Sequence, residues 1–150
     1  MRIRAGILLA SALVQLSAVS AQRAATLSGT WSVEAAAADV VSPDGSEKWS
    51  FVAISGTLQL EHKDKSVTGS WQGRMPAPWA LSGSSDGKTF ELQTEVRDVP
   101  MSRNGEQQTV ARRWIFKGTI DGGTLTGSMG LSEGDAAATP SQPFTATRAK

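Results

Sequence analysis

Residues 54–73 read ISGTLQLEHKDKSVTGSWQG, and apolar and polar residues alternate on both sides of Lys63-Asp64-Lys65. One face of each half carries only apolar residues and glycine: Ile54, Gly56, Leu58 and Leu60 in the first half, Val67, Gly69 and Trp71 in the second. Alternation with a period of two predicts antiparallel strands with one buried face. The short polar segment between the two halves predicts a tight hairpin.

Each half contains the same short phrase: a large apolar residue, any residue, glycine, and then serine or threonine. Six copies occur in the chain, and they begin at Leu27, Ile54, Val67, Leu81, Phe116 and Leu125. Their spacing is too irregular for a solenoid and suits antiparallel strands joined by loops of unequal length. The glycine always falls on the apolar face, where it permits sharp coiling or close approach of other atoms. We therefore expect a small closed barrel.

Extending the alternation in both directions predicts eight strands. They lie near Leu27, Ile54, Val67, Trp79, Phe90, Val110 to Ile120, Leu125 to Leu131 and Phe144 to Ala146. Turn sequences with glycine, such as Ser85-Asp86-Gly87 and Asp121-Gly122-Gly123, separate several of them. Eight hairpin-linked strands in about 120 residues predict an all-β fold, a single antiparallel up-and-down barrel. A two-sheet sandwich is the alternative, although it usually needs longer crossing connections.

The alternation is interrupted in two long stretches, residues 36–47 and residues 132–142, which are expected to be loops. Ala35 to Ala38 has helix propensity, so a short helix is an option there. Lys48 to Val52 is expected to begin a long second strand. Asn104-Gly105 falls in the longer connection between the fifth and sixth strands.

The first residues have the three parts of a secretory signal peptide. Met1 to Arg4 is a positive start, residues 5–19 are mostly apolar, and Val19-Ser20-Ala21 offers the small residues at which signal peptidase cleaves. We expect residues 1–21 to be the signal peptide and residues 22–150 to be one β-barrel domain, periplasmic or secreted. The apolar run is too short to span a bilayer, so no membrane anchor is expected after cleavage.

Charge and composition exclude several classes of function. Loss of Arg2 and Arg4 with the signal peptide leaves thirteen Lys and Arg against fourteen Asp and Glu, a formal charge of −1 instead of +1. We expect neither nucleic-acid binding nor attachment to anionic lipid, because the charges are interspersed. The absence of cysteine excludes disulfides and thiolate nucleophiles. His62, the one histidine, is expected at the surface of a hairpin, and no catalytic residue, metal or cofactor is expected.

The two ends of the barrel sequence resemble a known family. Gly29-Thr30-Trp31 opens the first strand and Phe144 to Arg148 closes the last, which resembles the calycin barrels, the lipocalin and avidin families. The resemblance implies that Trp31 packs under Arg148 and ties the first strand to the last, a cation–π contact of about 0.5–2 kcal/mol. The order of the phrases is most similar to the avidin side and to small secreted bacterial domains of unassigned role. Avidins hold the biotin ureido group partly through a tyrosine hydroxyl, and this chain has no tyrosine, so biotin binding is not expected.

Inward-facing aromatic residues are the candidates for a ligand site. An eight-stranded barrel is either filled by side chains or holds one small ligand, and the sequence leaves both open. An inward arginine must be paired or reach water, which predicts an open or polar end. We expect a non-enzymatic binder of a small apolar or amphipathic ligand; the alternative is a protein-interaction or enzyme-inhibitor module that acts through its loops. The expected ligand-binding residues are Trp71, Trp79, Phe90, Arg112 and Trp114.

Overall fold

The barrel is built from the strands that the alternation predicts. The computed structural model describes residues 26–133 and 140–150, and these form eleven strands: β1 (Gly29–Ala35), β2 (Ala38–Val41), β3 (Lys48–Phe51), β4 (Ile54–Lys63), β5 (Ser66–Gln72), β6 (Trp79–Ser85), β7 (Thr89–Thr94), β8 (Arg97–Arg103), β9 (Glu106–Asp121), β10 (Thr124–Glu133) and β11 (Gln142–Arg148). Eight of them pair antiparallel in a closed ring, in the order β1, β4, β5, β6, β7, β9, β10, β11 and back to β1. The all-β up-and-down barrel is therefore confirmed. The expected signal peptide, residues 1–21, and residues 134–139 of the second predicted loop lie outside the described residues.

Side chains fill the interior of this barrel. Burial alternates along the strands, as in β1, where Trp31, Val33 and Ala35 are buried and the residues between them are exposed. Aromatic rings meet edge-on at the centre, with the Trp71 and Phe116 centroids 5.2 Å apart, an arrangement that aromatic pairs prefer. The sequence is compatible with a barrel filled by side chains or with one that holds a ligand, and the structure shows a filled barrel. The other large core residues are Leu27, Leu58, Leu60, Val67, Trp79, Leu81, Phe90, Leu92, Leu125, Met129 and Phe144.

The glycines of the repeated phrase lie where other atoms come closest to a strand. A Cβ added at Gly83 would lie 2.0 Å from the carbonyl oxygen of Glu91 on the neighbouring strand. At Gly56 the same space is taken by the indole of Trp71, whose Cη2 would lie 2.4 Å from an added Cβ. The inward glycines therefore leave no empty interior: they admit a neighbouring backbone or a ring, as the sharp coiling of a small barrel requires.

Residues 36–51 form a hairpin beside the barrel instead of a loop or helix. β2 pairs with β3 in a separate two-stranded sheet, with Val40 opposite Trp49. The short helix that was an option at Ala35 to Ala38 is wrong, and Lys48 to Val52 does not begin the second barrel strand, which starts at Ile54 as β4. The β-branched valines of β2 favour the extended backbone, and pairing with β3 satisfies its hydrogen bonds.

The connection between β7 and the barrel part of β9 is also a hairpin. β8 pairs with the first half of β9 from Arg97 opposite Arg112 to Arg103 opposite Glu106. Asn104 and Gly105 form its two-residue turn, with φ values of 52° and 79°. Positive φ at both positions matches the strand twist, which is why Asn-Gly is a strong hairpin signal.

One end of the barrel, here called the turn end, carries the β4–β5, β6–β7 and β9–β10 hairpin turns. The guanidinium of Arg148 lies 4.5 Å from the ring centroid of Trp31, and the two residues are direct partners in the β11–β1 register. The same guanidinium donates hydrogen bonds to the carbonyl oxygens of Thr26 and Ser28. Arg148 is exposed, so it covers the indole from outside and joins the last strand to the first.

Leu27 and His62 complete the turn end beneath Trp31. Leu27 is fully buried, its carbonyl oxygen accepts a hydrogen bond from Trp31 Nε1 at 2.8 Å, and its N–H donates to His62 Nδ1 at 3.2 Å. His62 is half-buried rather than a surface residue as expected, because its ring lies against the segment that precedes β1. Its role at this end is to hold that segment.

Candidate functional site

A small apolar pocket lies at the other end of the barrel, called here the open end. Its volume is about 150 Å³. The buried indoles of Trp71 and Trp79 and the partly buried indole of Trp114 form its inner wall. The exposed side chains of Met75 and Val52 form its rim. The lining residues come from the β3–β4 junction, the segment between β5 and β6, and four barrel strands: Val52, Ile54, Trp71, Gly73, Arg74, Met75, Trp79 and Trp114.

Larger depressions of about 340 and 450 Å³ lie on the outer wall of the barrel. Their walls carry hydroxyl and charged groups, including the exposed ion pair of Glu91 with Lys117 at 3.3 Å. Such surfaces are ordinary solvated faces of a sheet. Ligand sites are concave and mainly apolar with a few polar groups, so the smaller open-end pocket is the better candidate.

Trp71 on β5 forms the innermost wall of the pocket, which will be called the tryptophan pocket. Its ring rests on Gly56, and its centroid lies 6.0 Å from that of Trp114 at an interplanar angle of 66°. Trp71 is 1% exposed, and its Nε1 is buried without a hydrogen-bond partner among the described residues. Because neighbours hold the ring on several sides, this wall is already formed before any ligand arrives.

Trp79 at the start of β6 forms a second wall and is held by Arg97. The guanidinium of Arg97 lies 4.7 Å from the Trp79 ring centroid, and it also donates to the carbonyl oxygens of Ala77 (3.1 Å) and Pro78. Arg97 forms an ion pair with Glu95, and its hydrogen bond, with a further one from a backbone N–H, holds the pKa of Glu95 below its ordinary value. The cation–π contact with Trp79 and the two hydrogen bonds to carbonyl oxygens hold the segment that precedes β6 in place.

Arg112 lies at the open end but does not line the tryptophan pocket. Its Nη2 lies 2.5 Å from Oε1 of Glu133, and Arg103 binds the same carboxylate at 2.8 Å. Hydrogen bonds from Arg112 and then Arg103 hold the pKa of Glu133 below its ordinary value. The inward arginine therefore has a carboxylate partner, and the cluster joins the β8–β9 hairpin to the end of β10.

Phe90 lies at the turn end, away from the tryptophan pocket. It follows the β6–β7 turn, is 4% exposed, and packs with its centroid 6.3 Å from that of Phe144. Its placement is that of a core residue. Of the five expected ligand-binding residues, the structure thus brings Trp71, Trp79 and Trp114 together and leaves Phe90 and Arg112 elsewhere.

Several residues of the site carry no signal in the sequence analysis. Gln142, 2% exposed, donates from Nε2 to the carbonyl oxygens of Ala36 at 3.2 Å and Val52 at 3.1 Å. These bonds fix the base of the β2–β3 hairpin and with it the rim of the pocket. Arg74 and Met75 belong to a segment with no alternation. The apolar–polar pattern does not show where that segment turns back over the barrel end, so it could not identify Arg74 and Met75 as pocket residues.

Residues 26–133 and 140–150 hold no group of three or more His, Asp or Glu side chains arranged to bind a metal ion, and no helix long and apolar enough to cross a membrane. No family model matches the chain, and no curated protein or solved structure matches it either. The closed eight-stranded barrel agrees with the general shape of the calycin barrels, while membership of that family stays a prediction.

Proposed function

We propose that this chain is an exported, non-enzymatic β-barrel that binds one small apolar or amphipathic molecule in the tryptophan pocket. The observation that carries the proposal is the preformed apolar cavity between Trp71, Trp79 and Trp114 at the open end of an otherwise filled barrel. Export rests on the signal-peptide pattern of residues 1–21.

The volume of the pocket supports a small ligand. About 150 Å³ is below the roughly 300–1,000 Å³ of drug-sized sites, and an apolar cavity of about this volume accepts a benzene-sized group. The ligand, or the part of it that enters, is one aromatic ring or an aliphatic chain of about six carbons. Burial of six carbons at about 0.8 kcal/mol each gives about 5 kcal/mol, or a Kd of roughly 0.1–1 mM.

The lining of the pocket supports binding rather than catalysis. Among the described residues that form its walls, the charged one is Arg74, and a guanidinium remains protonated across the working range of pH. Such a wall supplies shape and apolar contact, and it offers no general acid or base to a bound molecule.

A fluorescence titration with 2-phenylethanol tests the proposal. Trp71 and Trp114 contact the site, so their emission reports on an added ring. The variant Val52→Phe places a larger side chain on the exposed rim of the pocket and should weaken binding at least tenfold. Val41→Phe is the matched control, because Val41 is also an exposed valine, 55% against 64% for Val52, but lies in β2 outside the pocket. Equal binding by both variants would refute the site.

A second candidate function is a protein-interaction or enzyme-inhibitor module. The exposure of Val52 (64%) and Met75 (46%) beside the pocket favours this role. An apolar side chain of a partner protein could enter the pocket while Val52 and Met75 contact the partner around it. Replacement of residues 38–51, the β2–β3 hairpin, by a short glycine–serine linker tests this role. Unchanged capture of a partner protein by that variant would exclude the hairpin as the contact surface.

A further inference from the structure

We propose that Arg97 determines which ligands the tryptophan pocket accepts, because it fixes Trp79 as a rigid wall and so limits the pocket to one ring. The inference rests on the proposed function and extends it from apolar molecules in general to a limit on their size. Arg97 is not among the residues that line the pocket, so its role is that of a positioning residue that acts through Trp79.

Trp79 is held by its own strand on one side only. It is the first residue of β6 and is paired with Trp71 of β5, whereas the ladder between β6 and β7 begins two residues later, at Leu81. Residues 73–78, which precede Trp79, belong to no strand. Trp71, by contrast, is paired on both sides, with Leu58 as well as with Trp79. The position of Trp79 therefore depends on contacts from outside the β5–β6 ladder.

Arg97 supplies these contacts. Its guanidinium lies 4.7 Å from the Trp79 ring centroid and donates to the carbonyl oxygens of Ala77, at 3.1 Å, and of Pro78. Its ion-pair partner Glu95 accepts a hydrogen bond, at 3.3 Å, from the backbone N–H of the residue that follows Trp79. A guanidinium can make all of these bonds at once because its five N–H donors form a planar fork. The backbone on both sides of Trp79, and its ring, are thus held by one arginine–glutamate pair.

A fixed wall selects ligands by size instead of by apolar area. The cavity of about 150 Å³ accepts a benzene-sized group. A ring system widened by a second fused ring requires Trp79 to move outward, and the contacts of Arg97 oppose that movement. Apolar area alone predicts the opposite preference, since the larger ring system buries more surface. The two explanations therefore differ in which of two ligands binds more tightly.

The test is a titration of the full chain at pH 7 with 2-phenylethanol and 2-(1-naphthyl)ethanol, followed by the indole N–H signals. We expect the unaltered protein to bind the one-ring alcohol at least about threefold more tightly than the two-ring alcohol. Arg97→Gln frees the wall, so the ratio of the two Kd values should shift by at least about tenfold toward the two-ring alcohol. A role in stability alone would weaken both ligands by the same factor and leave this ratio unchanged.

Two further variants complete the test. Arg103→Gln is the matched control, because Arg103 is another ion-paired arginine at the open end, with Glu133 as its partner; it should keep the Kd ratio of the unaltered protein. Arg97→Lys keeps a positive charge but lacks the planar fork. It should shift the Kd ratio in the same direction as Arg97→Gln, by a smaller factor.

The possible failures are distinct. Tighter binding of the two-ring alcohol by the unaltered protein, or an unchanged Kd ratio in Arg97→Gln, overturns the role of Arg97 while the proposed function stands. If Arg97→Gln does not fold, Arg97→Lys decides, and an unchanged ratio in that variant overturns the role in the same way. Binding of neither alcohol by the unaltered protein overturns the proposed function and this inference together.

Discussion

Substitution of Gly127 by alanine should destabilise the barrel strongly. Gly127 lies opposite Gly118 in the β9–β10 ladder, and an added Cβ would lie 1.9 Å from the carbonyl oxygen of Lys117 and 2.6 Å from Gly118 Cα. Contacts of a real Cβ are essentially never under 3.0 Å, so the two strands must separate by about 1 Å. Overpacking of this kind costs about 1–3 kcal/mol, and a weakened ladder hydrogen bond about 1 kcal/mol more. We expect a loss of about 2–4 kcal/mol of the free energy of unfolding.

Urea denaturation followed by tryptophan emission measures this loss, because several of the indoles are buried. At an m value of about 2 kcal/mol/M, the midpoint should fall by roughly 1–2 M. Gly123→Ala is the matched control from the turn of the same hairpin: an added Cβ there meets no atom within 4 Å, and its effect should stay within about 0.5 kcal/mol. A Gly127→Ala midpoint equal to that of the unaltered protein would show that close strand approach does not explain the repeated glycine.

Three further perturbations have expected outcomes. Arg148→Ala removes the guanidinium over the Trp31 indole and two hydrogen bonds to carbonyl oxygens, so the free energy of unfolding measured in urea should fall by about 1–3 kcal/mol. An unchanged midpoint would contradict the role of Arg148 in joining the last strand to the first. Gln142→Ala leaves two carbonyl oxygens at the base of the β2–β3 hairpin without their donor, and amide hydrogen exchange in that hairpin should accelerate more than in the barrel strands. Arg112 and Arg103 lower the pKa of Glu133 from 4.5, so the stabilising contribution of the ionised carboxylate is present above about pH 4.5 and is lost as the pH falls through the lowered value. The free energy of unfolding of Glu133→Gln should therefore fall less steeply with decreasing pH than that of the unaltered protein. Glu61→Gln, at the turn end, is the control and should follow the unaltered protein.

The fold could be predicted well from the sequence where local pattern and burial coincide. Each barrel strand buries one face, so the period-two alternation of a strand such as β4 predicts both its existence and its inward residues. The two projecting hairpins were missed because their burial alternates weakly: β2 and β3 expose half their residues and bury none fully. For the β8–β9 hairpin a usable signal was present, since Asn104-Gly105 is a strong hairpin sequence.

The site could be predicted less well, for a physical reason. Phase along a strand tells which side chains point inward: Trp71 is buried in the core and Trp114 packs against it, as the alternation predicts. Phase does not tell how far along the barrel axis each residue lies, and so it could not separate Phe90 at the turn end from the tryptophans at the open end. The rim residues Val52 and Arg74 come from segments whose path depends on tertiary contacts, such as the bonds from Gln142 and to Ala53.

The central claim is that a small apolar molecule enters the barrel at the tryptophan pocket, and the five indole N–H signals of a ¹H–¹⁵N correlation spectrum test it directly. Trp71, Trp79 and Trp114 line the pocket, Trp31 lies at the turn end and Trp49 lies in β3. On titration with 2-phenylethanol we expect the first three signals to shift together with a single Kd of roughly 0.1–1 mM and the other two to stay in place. Shifts of Trp31 and Trp49 alone, or five signals that do not move at millimolar ligand, would contradict a ligand site at the open end.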